Sequence, residues 1–411
     1  MPMPNYRTPT EILPTRGYVT VLEGEPGIGK TTLALASALA AGKAKYISYN
    51  EPEESLRNKA QRVMHRMPEN LEVAHMLSGS TQRTFTEIIN AMSEGKIVIL
   101  DSVDAFLWGE ADQKPERALL QLIYESVKVR SGSLILINEG ISGLSNMLKF
   151  VVDAYIRMET ENLLGINVRK ISVKKDRDYP VSIHPFYYTF HDGLQVFSSS
   201  YFLDLDAARQ KKVKPWERPF GSKSIMNAPE LFLYILDSSV SIPFSRLYRY
   251  WLAVDYLNRK YSIAFVARPD EDAEKLKESI CAMAGTKAGL NVVKSSGNIA
   301  EDRKMLMSFS GAMIIADIIV WEHEASFNPS AYESAIKDLV MNNLSQGSGM
   351  VLFSYRAYRG LDITEKYATR ERVIVEKENH IFLRTVRPPG PLYYVSIENP
   401  QEPELRLITM F

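Results

Sequence analysis

The stretch GEPGIGKT at residues 24–31 constrains this chain more than any other. It fits G-x-x-x-x-G-K-[ST], a loop that has to follow a strand and open a helix. YVTVLE (18–23) before it reads as a short apolar strand, and TLALASALAAG (32–42) after it reads as an Ala/Leu helix that runs out at Gly42. Gly24, Gly27 and Gly29 let the backbone turn without a Cβ clash, so that successive N–H groups point inward at phosphate oxygens. A helix begun at Lys30 adds the positive end of its dipole. The pattern predicts a nucleotide cradle made of Gly24, Glu25, Pro26, Gly27, Ile28, Gly29, Lys30, Thr31 and Thr32. In it Lys30 reaches the β- and γ-phosphates of ATP, and the Thr31 hydroxyl ligates Mg²⁺.

Downstream, strand and helix patterns alternate, which predicts an α/β fold with a mostly parallel central sheet. KYISY (45–49) reads as a strand and SLRNKAQRVMHRM (55–67) as a helix. KIVILDSVDAF (96–106) contains a buried strand ending in Asp101, followed by a helix through 115–130. SLILINE (133–139) is another buried strand, and FVVDAYIRMETE with NVRKISVKKDR reads as a hairpin pair. Asp101 stands where a phosphate-loop enzyme places a carboxylate to hold the Mg²⁺ hydration shell. A helix N-cap is its competing role.

At 411 residues the chain suits two or three domains. The tract DAARQKKVKPWERPFGSK (206–223) breaks the rhythm with charge, Pro and Gly. The expected division is therefore 1–205 as the ATPase domain, 206–222 as linker and 223–411 as a second domain. Beyond the linker the first half recurs in degraded form. Laying LEGEPGIGKTTL (22–33) over LDSSVSIPFSRL (236–247) puts Lys30 on Phe244 and Gly29 on Pro243. The apolar strand MIIADIIVW (313–321) then places Asp317 opposite Asp101, and the strand GMVLFSY (349–355) matches GSLILINE. Pro243 has no N–H to donate, Phe244 cannot bind phosphate, and no glycine remains in SSVSIPFS. The second half is expected to keep the sheet and to bind no ATP.

Lysine plus arginine equals aspartate plus glutamate, 49 each, so no global field recruits nucleic acid or an anionic membrane. The single cysteine, Cys281, excludes an intrachain disulfide and lies in an Ala/Met-rich helical stretch that suits a core role. No apolar leader and no long uncharged apolar window appears, so a cytoplasmic protein without a membrane partner is expected.

GEPGIGKTT, YISYNEPEESL after the second strand, VILDSVDAF and VKKDRDYPVSIHPFYYTFHDGLQVF together resemble the RecA-like ATPases of the circadian-clock KaiC and RadA group. The resemblance covers about residues 15 to 198. The tandem arrangement is similar to KaiC, and the decayed second half resembles the archaeal gas-vesicle regulatory ATPases. The resemblance implies a RecA-like fold, a homo-oligomer (a hexameric ring or a dimer) and a Glu pair after the second strand, one of which polarises the attacking water. Here Asn50 and Glu51 occupy those places. An amide cannot take a proton from water, so turnover should be slow unless Glu51 or Glu53 substitutes. The resemblance also implies a Lys-x-Arg, matched by Lys175 and Arg177, that reaches the γ-phosphate held by the next subunit. A solvated hairpin tip, KKDRD, is the plainer reading of those two residues, and N-terminal helix acids that of Glu51.

These observations point to a slowly hydrolysing, ATP/ADP-binding ATPase that acts as a regulatory switch or scaffold toward an unidentified protein partner. Two other classes compete with it. A RadA-like recombinase paralogue would hold DNA through linker bases such as Lys211, Lys212 and Lys214, although Glu217 dilutes their charge. A protein-interaction module would use ATP only structurally.

Overall fold

Strands buried on both faces read as unbroken apolar runs rather than as alternating ones. That is the character of VTVLE, IVILD and SLILIN, which lie side by side at the centre of a parallel sheet in the computed structural model. The structure describes residues 13, 17–64, 69–76, 81–107, 115–130, 132–140, 144–178, 181, 184–191, 193–197, 230–398 and 404–410. It divides into two compact units, Met1–Ser199 and Ser200–Phe411. The linker expected at 206–222, with its basic residues, lies outside the described residues.

The first unit contains β1 (Val19–Glu23), β2 (Ala44–Ser48), β3 (Leu71–His75), β4 (Ile97–Asp101), β5 (Ser133–Asn138), β6 (Ala154–Leu163), β7 (Ile166–Asp176), β8 (Phe186–Thr189) and β9 (Gln195–Phe197). They form one sheet in the order β3-β2-β4-β5-β1-β6-β7-β8-β9. It is parallel from β3 to β6 and antiparallel beyond. The expected hairpin is the long β6–β7 pair. Successive residues of each central strand serve opposite cores. Leu22, Tyr46, Ile99, Ile135 and Ile137 pack with Leu33, Ala34 and Leu35 of helix α1 (Lys30–Ala41). Val21, Ile47, Val98, Leu100, Leu134 and Leu136 pack with residues of helices Thr81–Ser93 and Pro115–Arg130 on the other face. Burying each such side chain contributes about 1.5–3 kcal/mol.

The second unit contains β10 (Leu231–Leu236), β11 (Ile263–Ala267), β12 (Leu290–Lys294), β13 (Met313–Asp317), β14 (Met350–Tyr355), β15 (Arg370–Lys377), β16 (His380–Arg387), β17 (Leu392–Glu398) and β18 (Glu404–Thr409). Their order, β12-β11-β13-β14-β10-β15-β16-β17-β18, repeats that of the first unit strand for strand. The degraded repeat in the sequence is thus a second RecA-like sheet. One expectation is corrected here. The apolar run MIIADIIVW is not all strand, because β13 stops at Asp317, whose carboxylate accepts from the Ile319 N–H at 3.0 Å and starts a 3₁₀ turn over Ile318–Trp321. Cys281 is buried in the core of this unit. Among the described residues no helix is long and apolar enough to cross a membrane.

At the amino-terminal edge of the first sheet Asp153 is buried and acts as a knot. One carboxylate oxygen accepts from the Val19 N–H at 2.9 Å and pairs with Lys128 at 3.0 Å, while the other accepts from the Tyr124 hydroxyl at 3.0 Å. Asp153→Ala strands a buried amide and a phenol, each costing about 1–3 kcal/mol. We expect it to destabilise the first unit by about 2 kcal/mol or more, read as faster hydrogen exchange at β1 and β6. Exchange there that matches the wild type would show that the knot contributes nothing.

Candidate nucleotide site

The carboxyl ends of β1, β2, β4 and β5 open onto one edge of the sheet, where a parallel α/β fold places its ligands. The segment from Gly24 to Gly29 links β1 to α1 at that edge. Gly27 has φ 80° and Gly29 has φ 108°, left-handed values that favour glycine. The Gly24 N–H donates to the Asn138 carbonyl at 3.3 Å and the Ile28 N–H to Glu25 O at 3.3 Å, so the loop is pinned at both ends. Glu25 and Pro26 are exposed at its tip and Ile28 is buried beneath it. Helix α1 starts on Gly29 with no side-chain cap and no acid in its first turn, which leaves the amides of Lys30, Thr31 and Thr32 available at its positive end.

Lys30 is folded back over the loop, its Nζ donating to Gly24 O at 2.6 Å and Glu25 O at 2.9 Å. Burial lowers its pKa, and the nearby carboxylates of Glu139, Asp101 and Asp104 oppose that shift. The Thr31 hydroxyl donates to Asp101 Oδ2 at 3.0 Å, so the two residues expected to face the metal meet across the edge of the sheet. The same oxygen accepts from the Tyr46 hydroxyl. Burial raises the pKa of the Asp101 carboxyl, and the hydrogen bonds from Tyr46 and Thr31 act against it. Burial and the Asp101 charge push the Tyr46 phenol well up, so that it stays a donor. One carboxylate, one hydroxyl and an uncapped helix start form a donor set that fits a magnesium ion carried on phosphates. Asp101 acts here through its side chain toward Thr31 and Tyr46.

The other expected residues are held elsewhere. Glu51 has its N–H on Ser48 Oγ at 2.8 Å, accepts from Ser55 Oγ at 3.0 Å and is ion-paired with Lys59. It thereby tethers the start of helix α2 (Glu53–Met64). Asn50 beside it is exposed. Lys175 and Arg177 lie at the opposite edge of the sheet. Lys175 donates to Lys149 O at 2.7 Å and Val152 O at 2.6 Å, and burial together with the Arg177 charge lowers its pKa. Arg177 bonds the Tyr124 hydroxyl and lies 3.5 Å from Asp153. The length of β1, five residues, separates the two edges, about 16 Å at the usual strand rise.

Three aromatic residues had no role in the sequence reading. Tyr46 lay inside a strand-like run, KYISY, and nothing in that run marked its hydroxyl. The Tyr188 hydroxyl donates to Ile28 O at 2.7 Å, and the Phe190 ring lies against Gly29. Both follow from β8, which nothing in its local sequence ties to the loop.

The second unit resolves the same edge differently. The turn after β10 has no left-handed residue, and its amides are already engaged. Ser239 N–H donates to Asp237 Oδ1 at 3.1 Å, Val240 N–H to Asp237 O at 3.0 Å and Ser241 N–H to Glu376 Oε2 at 3.0 Å. Phe244 is buried against Tyr248. Asp317, the counterpart of Asp101 at the end of β13, is paired with the buried guanidinium of Arg268.

A Cβ at Gly29 would come within 2.3 Å of the Phe190 ring and would also be strained by the positive φ. Gly29→Ala is therefore expected to abolish nucleotide binding in a titration calorimeter. The double variant with Phe190→Ala should recover only part of it, since the dihedral strain, about 1–3 kcal/mol, remains.

Residues 13–200 match the family model of the KaiC ATPase. No curated protein matches the chain. With the phosphate-loop geometry and the parallel sheet in hand, the amino-terminal half of this chain is a KaiC-like, RecA-fold P-loop ATPase domain.

Proposed function

We propose that the chain binds one Mg²⁺·ATP, in its first unit, and hydrolyses it slowly, working as a nucleotide-dependent switch or scaffold. The observation that carries this reading is the contrast between the two loops. In the first, α1 starts uncapped beside Lys30, Thr31 and Asp101. In the second, the turn amides are taken by Asp237 and Glu376, and Arg268 meets the strand-end carboxylate.

On this reading the amides of Gly27, Gly29, Lys30, Thr31 and Thr32 hold the phosphates, and Lys30 leaves the Gly24 and Glu25 carbonyls to reach them. Thr31 and Asp101 hold the metal, which when bound neutralises phosphate charge. Slow turnover is supported by Asn50, which cannot accept a proton, and by Glu51, whose carboxylate is engaged by Ser55 and Lys59. Lys175 and Arg177 lie too far from their own loop to act on it, so they serve the nucleotide of another copy in a homo-oligomer. A cytoplasmic setting agrees with the single thiol being buried.

Calorimetry should find one ATP per chain, with Lys30→Ala weakening it roughly a hundredfold, the worth of about two charge-assisted hydrogen bonds. Two sites per chain, or undiminished binding by Lys30→Ala, would refute the reading. Asn50→Glu is expected to raise phosphate release about tenfold or more by restoring a base. Release per chain should climb with protein concentration, and Arg177→Ala should flatten that climb while ATP affinity holds.

A further inference from the structure

Tyr46 and Phe265 occupy the same register in the two sheets. Tyr46 pairs with Ile99 on β4 and Phe265 with Ile315 on β13, each two residues before the strand-end aspartate. Each faces the core on the side of the helix that follows the first strand, α1 in one unit and Ile242–Asn258 in the other. The two positions differ by one hydroxyl. In the first unit that hydroxyl donates to Asp101 Oδ2, the oxygen that also accepts from Thr31. In the second unit the ring has no hydroxyl, and the equivalent carboxylate of Asp317 is held by Arg268 instead.

Two donors on one oxygen fix the rotation of a carboxylate about its Cβ–Cγ bond. Among the described residues no donor reaches the other oxygen, Oδ1. Tyr46 is wholly buried on β2, and its ring is packed by α1 and the central strands, so the hydroxyl is presented from a rigid mount. A hydroxyl placed behind a metal-facing carboxylate sets that ligand's direction, and such supports contribute about 10–100-fold to metal affinity. The internal comparison strengthens the case. Among the described residues, the hydroxyl stands in the unit whose carboxylate meets no protein cation in direct contact, and it is missing from the unit whose carboxylate is paired with an arginine.

We propose that Tyr46 is a positioning residue for the magnesium ion, orienting Asp101 toward it while touching neither metal nor nucleotide. This rests on the reading of the first unit as an Mg²⁺·nucleotide site. ADP binding to the full chain, followed calorimetrically in EDTA and then at rising MgCl₂, separates the two. Tyr46→Phe should leave the metal-free ADP affinity unchanged and raise the Mg²⁺ concentration at half effect about tenfold. In an Asp101→Asn background the same substitution should shift the Mg²⁺ requirement no further. Phe265 shows that a sheet of this topology accepts phenylalanine at that register, and a thermal melt of the ligand-free variant checks that it folds. An unchanged Mg²⁺ requirement in Tyr46→Phe overturns the proposal, as does a loss of ADP affinity equally large in EDTA. A wild-type chain that takes no ADP, or takes it as well after Lys30→Ala, overturns instead the reading beneath it and the proposal with it.

Discussion

A carboxylate at the end of a buried central strand has to be met by something, and the two halves of this chain differ in what meets it. Asp101 and Asp317 stand at the same place in two sheets of the same strand order. Both are buried, and leaving either charge without donors would cost several kcal/mol. Arg268 settles the matter within the protein for Asp317, with a permanent positive charge. Two hydroxyls settle it for Asp101 without cancelling its charge. On the proposed reading, a carboxylate met only by neutral donors is one that still attracts a metal.

The same logic governs the loops. Backbone amides bind phosphate only while they are not already bonded to something else. The turn after β10 is stable as it stands because Asp237 and Glu376 supply oxygens to its amides. Among the described residues no acid side chain accepts from the amides of the loop before α1, and its lysine rests on two carbonyls of the loop itself. Those bonds hold the loop in shape while remaining exchangeable for stronger, charge-assisted ones to phosphate. Losing the glycines and the lysine therefore did not have to unravel the second unit. Its sheet depends on the apolar pattern of β10, β11, β13 and β14, which survived.

What could be read from the sequence were the features encoded within a dozen residues. The loop, its flanking strand and helix, Asp101 at the end of β4, and the β6–β7 hairpin all follow from local pattern. The repeat was legible because three strands kept their spacing even though the loop chemistry was gone. What escaped was set by long-range contact. Tyr46 meets Asp101 only because β2 pairs with β4, and Phe190 meets Gly29 only because β8 returns to the loop. Strand β3 escaped for a related reason. It sits at the sheet edge with Glu72 and His75 exposed, so its composition is too mixed to read as a buried strand.

Glu51 shows how one residue can satisfy two readings. Its carboxylate ties Ser55 and Lys59 of α2 to the end of β2, which is the helix-start role that its sequence suggests. Its charge is also felt at Asp101 and Tyr46, so it sits within electrostatic range of that strand-end carboxylate. Lys59 is partly exposed, so that ion pair is itself worth little and yields to modest competition. On the proposed reading, the carboxylate that tethers α2 is the same one that would have to serve beside the phosphate edge.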